Sequence, residues 1–173
     1  MPDVSPALPR WPLVDGRQSE TAATVQRGVC RLLRASGFAA VTELPLASGR
    51  RADIMAVNER GDVWIIEIKS SLVDFRTDRK WPEYWHFCDR LYFAIPATMT
   101  PDIMPMEAGL IVADNFGAEI IRDIPEVRLA GSRRKAVTLR FARAAALRLH
   151  NLRDPLCEGP GAPGPYDKLS EVG

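Results

Sequence analysis

The sequence predicts an α/β domain in which a mixed sheet is flanked by helices. Apolar residues recur at helical spacing near both ends of the chain and at strand spacing between them. The elements run helix, three strands, helix, strand, hairpin, helix, with the segment from 69 to 91 as a crossover. With 173 residues, 46% hydrophobic and 26% charged, the chain suits one domain with a substantial core.

Residues 1–17 read as an irregular Pro-rich arm with no signal-peptide pattern, and 18–152 as the folded domain. Ser19 can cap a first helix running to about Ser36. Ala22, Val25, Val29, Leu32 and Leu33 would form its apolar face, and Gly37 its stop. Val41 to Leu46 reads as a short strand interrupted by Pro45, followed by hairpin strands over 52–57 and 62–69. Ser70 or Ser71 can cap the crossover helix, with Asp74 placed for a capping box; Pro82 breaks or restarts that helix, and its second piece runs to about Cys88. A strand over Leu91 to Ile95 and a hairpin of 110–113 and 118–122 follow. A helix from Ser132 to about Leu149 closes the domain, and the Pro- and Gly-rich residues 153–173 read as a disordered tail.

The charged residues of the first hairpin are the informative ones. Glu67 and Lys69 sit in an otherwise apolar strand, with Ile66 and Ile68 burying the opposite face. If Glu59, Arg60 and Gly61 form a three-residue loop, Gly61 takes the position that needs a positive φ. Asn58 then faces Asp62, and Asp53 faces Glu67. Opposed residues have Cβ atoms about 4.5–5.5 Å apart. Two carboxylates that close repel unless a cation lies between them. A two-residue loop would shift the register by one and put them on opposite faces.

Composition narrows the chemistry. A net charge of +1 says nothing about partners, but Val127 to Arg153 holds eight Arg or Lys residues and no acid. Cys30, Cys88 and Cys157 are scattered and only His86 and His150 are available, so a zinc site is disfavoured; reduced thiols in a cytoplasmic protein are the simplest reading. No apolar run approaches the roughly 20 residues that span a membrane. Mg²⁺ or Mn²⁺ at Asp53 and Glu67, with the Ile68 carbonyl as a third oxygen, would suit phosphodiester hydrolysis, because the ion stabilises charge growing on the attacking and leaving oxygens. Lys69 has the right sign for a phosphate or for orienting water. An exposed, salt-bridged strand face is the plain alternative.

A strand Asp followed by Glu-x-Lys resembles the PD-(D/E)XK nuclease superfamily. More closely, the blocks Arg27 to Leu33, Gly49 to Ala56, Ile66 to Ser71, Asp78 to Tyr84 and Gly109 to Asp114 resemble the MmcB-type DNA repair proteins of bacteria. The resemblance spans about residues 26 to 149. It implies a restriction-endonuclease-like fold (an αβββαβ core plus a β-hairpin and a C-terminal helix), a DNA repair context and a metal-dependent nuclease site. The superfamily's acids and lysine fall on Asp53, Glu67 and Lys69, with Ala52 where the name-giving Pro would stand. Many members add a Glu on the first helix. Glu20 could fill that place, and Glu43 on the preceding strand is its rival as a metal ligand.

Several neighbours could meet DNA. Arg50 and Arg51 flank the site and could contact phosphate or pair with Glu43. Lys80, after Arg76 and Arg79, lies on the element leaving Lys69. Trp81, Tyr84, Trp85 and Phe87 should mostly pack in the core, although an exposed ring such as Tyr84 could stack on unpaired bases. The last helix carries Arg133, Arg134, Lys135, Arg140, Arg143 and Arg148, a face that could track phosphates or pair with acids elsewhere. The expected function is a cytoplasmic DNA-processing nuclease acting on single-stranded or branched DNA, together with other repair proteins. The rivals are a non-catalytic DNA-binding or partner-recruiting module that keeps the nuclease fold, and an RNA-processing nuclease.

Overall fold

A computed structural model describes residues 19–154 apart from 79, and not the side chains of Asp74 and Thr77. The arm expected over 1–17 and nearly all of the expected tail lie outside the described residues, as do Arg79, Cys157 and the capping carboxylate of Asp74.

Helix α1 (Glu20–Ala35) begins where the Ser19 hydroxyl accepts the Ala22 amide at 3.1 Å. Val25, Val29 and Leu33 recur at four-residue spacing and are buried to 1% exposure or less. The chain turns out of the helix at Gly37, whose φ of 80° is the left-handed conformation a side chain resists.

Six strands follow: β1 (Phe38–Pro45), β2 (Arg51–Asn58), β3 (Val63–Ile68), β4 (Arg90–Pro96), β5 (Gly109–Ala113) and β6 (Ala118–Arg122). They lie in the sheet in chain order. Pairing is antiparallel from β1 to β3, parallel from β3 to β5, and antiparallel between β5 and β6. Helix α2 (Leu72–Thr77) and a 3₁₀ segment (Trp81–His86) make the β3–β4 crossover, and α3 (Gly131–Arg153) ends the described chain. The architecture is the expected mixed sheet flanked by helices, consistent with a restriction-endonuclease-like fold. Most boundaries shift by a residue or two, and three differences are larger. Strand β1 starts three residues earlier, because Phe38 and its neighbours pair with the far end of β2. The piece containing Pro82 is 3₁₀ rather than α. Helix α3 runs on to Arg153, so the expected start of the tail at 153 is still helical.

The two faces of the sheet bury two cores. Ile54, Ala56, Ile66, Ile68, Tyr92, Ala94 and Ile111 pack under α1. Met55, Val63, Ile65, Leu91, Phe93, Ile95 and Leu110 pack with Tyr84, Val137 and Ala144 on the other face. Glu67 alternates with Ile66 and Ile68, so it projects onto that second face, away from α1.

Helix α1 meets the β5–β6 turn through Gly28. A Cβ there would lie 2.2 Å from the Asp114 carbonyl oxygen and 2.3 Å from that of Gly117, and both are backbone atoms that cannot swing away. Gly28→Ala should therefore destabilise the fold by about 1–3 kcal/mol. Urea unfolding should show a lower midpoint at unchanged slope; an unshifted midpoint would mean that helix and turn separate easily.

Candidate active site

The first hairpin has the expected loop. Gly61 has a φ of 80°. The Asn58 amide donates to the Asp62 carbonyl at 3.3 Å, and the Gly61 amide to the Asn58 carbonyl at 3.0 Å. The Asn58 side chain closes the turn, accepting from the Arg60 and Asp62 amides at 3.0 Å each. Val57 faces Val63, Met55 faces Ile65 and Ile54 faces Ile66. One step further in this register, Asp53 stands across from Glu67, on the same face.

At that step the ladder opens. The Ile68 amide donates to the Asp53 Oδ2 at 2.8 Å, and the Asp53 amide donates to the Glu67 Oε1 at 3.2 Å. Side-chain oxygens thus take bonds that backbone carbonyls would take in a continued ladder. In an antiparallel strand the amide and carbonyl of one residue face the same neighbour, so the Ile68 carbonyl lies on the β2 side, toward Asp53.

Glu67 is 3% exposed and Lys69 5%. Burial, then the charge of Asp53, pushes the Glu67 carboxyl well above the usual carboxylate range, against the opposing pull of Lys69. The Lys69 ammonium lies 2.7 Å from the Asp78 carboxylate. Burial pushes Asp78 up, but the bond and charge of Lys69 and a bond from the Lys80 amide together hold it below its ordinary value. Sequence reasoning did not pick out Asp78. Its only signal was membership of the Asp78–Tyr84 block.

Tyr84 is 4% exposed, so its ring is unavailable for the base stacking considered for it. Its hydroxyl donates to the Arg51 carbonyl at 3.0 Å and lies against the Glu67 carboxylate. Burial, with the charges of Glu67 and Asp53, raises its pKa. The rest of the aromatic cluster is partly buried: Trp81 and Phe75 both stand edge-on to Phe93, at 5.5 and 5.8 Å between ring centres.

The flanking cations are paired. Arg50 bonds Glu83 at 2.7 Å and lies over the Tyr84 ring, and Arg51 pairs with Glu43 at 2.6 Å. Lys80 is exposed at the start of the 3₁₀ segment. Of the two candidates for a third acid, Glu20 is exposed in the first turn of α1, the helix over the opposite face. Glu43 is on the strand beside Asp53. It has a φ of 50°, rare for a side-chain-bearing residue. That kink aims the successive carbonyls of Thr42 and Glu43 at one guanidinium, that of Arg148 on α3, at 2.5 and 3.1 Å. Arg140 bonds the Pro45 carbonyl and Arg134 bonds Asp89, so three of the arginines expected on one basic face instead fasten α3 to the domain.

The donors at the hairpin fit a hard divalent cation. Asp53 and Glu67 supply carboxylate oxygens beside a backbone carbonyl, and Mg²⁺ commonly accepts one or two carboxylates with water completing its shell. Among the described residues, no group of three His, Cys, Asp or Glu is arranged to hold a metal. A bound ion would therefore draw on these two acids, the carbonyl and solvent.

A family model described as DNA repair protein MmcB-like matches residues 10–156. The protein SPO1766 of Silicibacter pomeroyi, described as of unknown function, has a solved structure 42% identical in sequence. It superposes with a TM-score of 0.79 over 84% of this chain and 99% of that one. No curated protein matches. No helix among the described residues is long and apolar enough to cross a membrane.

Proposed function

The chain belongs to the MmcB-like family of DNA repair proteins, and from that premise we propose that it is a metal-dependent nuclease of the PD-(D/E)XK type, working on DNA in the cytoplasm. One observation carries this reading: a nearly fully buried Glu67 faces Asp53 where the β2–β3 ladder opens, with Lys69 beside them. Burying a carboxylate next to a second one costs stability unless a cation joins them, and a fold has little reason to keep such a pair for structure alone.

Asp53, Glu67 and the Ile68 carbonyl would hold Mg²⁺ or Mn²⁺. When bound, the ion would offset charge on the phosphate and make its water a better nucleophile. Lys69, held by Asp78, presents an ammonium to the phosphate or the attacking water. The Asp53 amide orients the Glu67 carboxylate. Arg50, Arg51 and Lys80 are the nearby cations for the DNA backbone, the first two by exchanging Glu83 and Glu43 for phosphate.

The test is cleavage of single-stranded, flapped, nicked and branched DNA with Mg²⁺ or Mn²⁺ against chelator. Cutting should require the metal. Asp53→Asn should lose it while binding DNA as the parent does. A second reading, a DNA-binding or partner-recruiting module without catalysis, is favoured by the absence of a third clustered acid among the described residues. Tight binding with no cutting of any substrate would decide for the module.

A further inference from the structure

The β5–β6 turn, Asp114 to Gly117, presents Phe116 with 78% of its surface exposed. Its backbone is braced from every side. The Asp114 carboxylate accepts the Phe116 and Gly117 amides at 2.7 and 2.9 Å, and the Asp114 amide donates to the Gly117 carbonyl at 3.0 Å. Arg31 donates to the carbonyls of Asn115 and Phe116 at 2.9 and 3.1 Å, and Arg27 donates to the Asn115 side chain. Gly28 admits the turn against α1 with no room for a methyl group. A lone exposed apolar side chain is ordinary; a large ring on so fixed a mount, flanked by two guanidiniums, is a prepared contact.

Charge and position indicate what it meets. Arg27, Arg31 and Arg34 share one face of α1 by their spacing, and α1 has no acid after Glu20. The Asp114 carboxylate of the turn is turned inward onto the turn's own amides. A guanidinium has five donors, so Arg27 and Arg31 keep donors for phosphate after bonding the turn. Strands β3, β4 and β5 are parallel, so the turn after β5 lies toward the end of the sheet at which β3 finishes, on the α1 side, whereas Glu67 projects from the opposite face. Glu67 is level with Phe93 and Leu110, so the turn lies about 10 Å across the sheet and about 13 Å further along it, a path of about five nucleotides of stacked strand.

We propose that Phe116, with Arg27 and Arg31, forms a subsite that stacks an unpaired base of a single-stranded nucleic-acid segment whose backbone passes around the sheet end. This names the substrate class of the proposed site and rests on the nucleic-acid reading of it. The ring takes the base face and the arginines its phosphates, a division that tolerates any sequence. A base inside a duplex is already stacked on both sides and would not use it.

The test is equilibrium binding of the full chain, in chelator, to a labelled single strand of about 20 nucleotides and to the matching duplex. Phe116→Ala should weaken single-strand binding about 5- to 150-fold and leave duplex binding within about twofold. Phe116→Trp should restore it. Phe116→Leu, apolar but without an aromatic face, should not. Unchanged melting curves should accompany all three variants, since the ring supports no packing. The proposal is overturned if Phe116→Ala binds the single strand normally, if duplex binding falls equally, if Leu restores as well as Trp, or if the parent binds no single strand. Because no divalent ion is present, cleavage plays no part. This binding pattern without any later cutting sinks only the nuclease reading, and cutting without the pattern sinks only the subsite.

Discussion

Glu67→Gln is expected to abolish metal-dependent cleavage while making the metal-free protein more stable. Both effects follow from one carboxylate, 3% exposed, facing Asp53. The amide has nearly the same shape and can still accept the Asp53 amide, so the fold should persist. It carries no charge, which removes the cost of burying an anion beside a second one. The thermal midpoint without metal should rise, roughly 2–4 °C for each kcal/mol relieved. The same substitution leaves Asp53 as the sole carboxylate at the site. On the proposed nuclease reading several kcal/mol of charge stabilisation in the transition state would come from the bound metal, so cleavage should fall by about 10³-fold or more. Added Mg²⁺ or Mn²⁺ should then raise the midpoint of the parent and leave that of the variant unmoved. A variant less stable than the parent in chelator, and equally responsive to metal, would mean that Glu67 is a structural acid.

The parts of this site that could be read from the sequence are those that lie close along the chain. Asp53 and Glu67 belong to one hairpin, so a single glycine with positive φ and a count of loop residues were enough to set them face to face. Asp78 was out of reach because its approach to Lys69 depends on how the crossover folds back over the sheet, and spacing along the chain does not encode that. Tyr84 was read as aromatic surface or core; only the packing of the 3₁₀ segment brings its hydroxyl to the Arg51 carbonyl, beside Glu67. The basic face of α3 stayed open between phosphate contact and pairing with acids for a related reason, and Arg134 takes the second course with Asp89. Helical spacing says which arginines share a face, not whether that face looks at solvent or at the carbonyls of an edge strand. Nothing local to residues 114–117 shows that α1 braces Phe116. The early start of β1 was hidden by Ala39 and Ala40, weak strand formers that pairing with β2 carries into the sheet.

The largest stability loss is expected at Asp89, at the other end of β3 from Glu67. This carboxylate is fully buried and accepts four bonds: from the Val63 amide at 2.7 Å, the Leu129 amide at 2.8 Å, and both terminal nitrogens of Arg134 at 2.9 and 2.7 Å. It thereby ties the start of β3, the chain leading to α3, and α3 itself. Asp89→Ala strands two amides and a guanidinium, and should cost about 3–5 kcal/mol, a large share of the roughly 5–15 kcal/mol a domain has. Burial raises the pKa of Asp89, but the bonds from Arg134, Leu129 and Val63 outweigh burial and hold it below its ordinary value. A depressed folded-state pKa means the stabilisation is complete above the unfolded value of about 3.9, and is lost as pH falls through the folded one. The gap between parent and variant in urea midpoint should therefore be full at neutral pH and shrink below about pH 4. Arg134→Met should be destabilising as well, because it leaves the buried anion with amide donors alone. The double variant should cost less than the two single losses summed, since the second change removes a partner already stranded. Additive losses, or a gap that persists in acid, would show that Asp89 and Arg134 act separately and that α3 is held by its arginines on β1 instead.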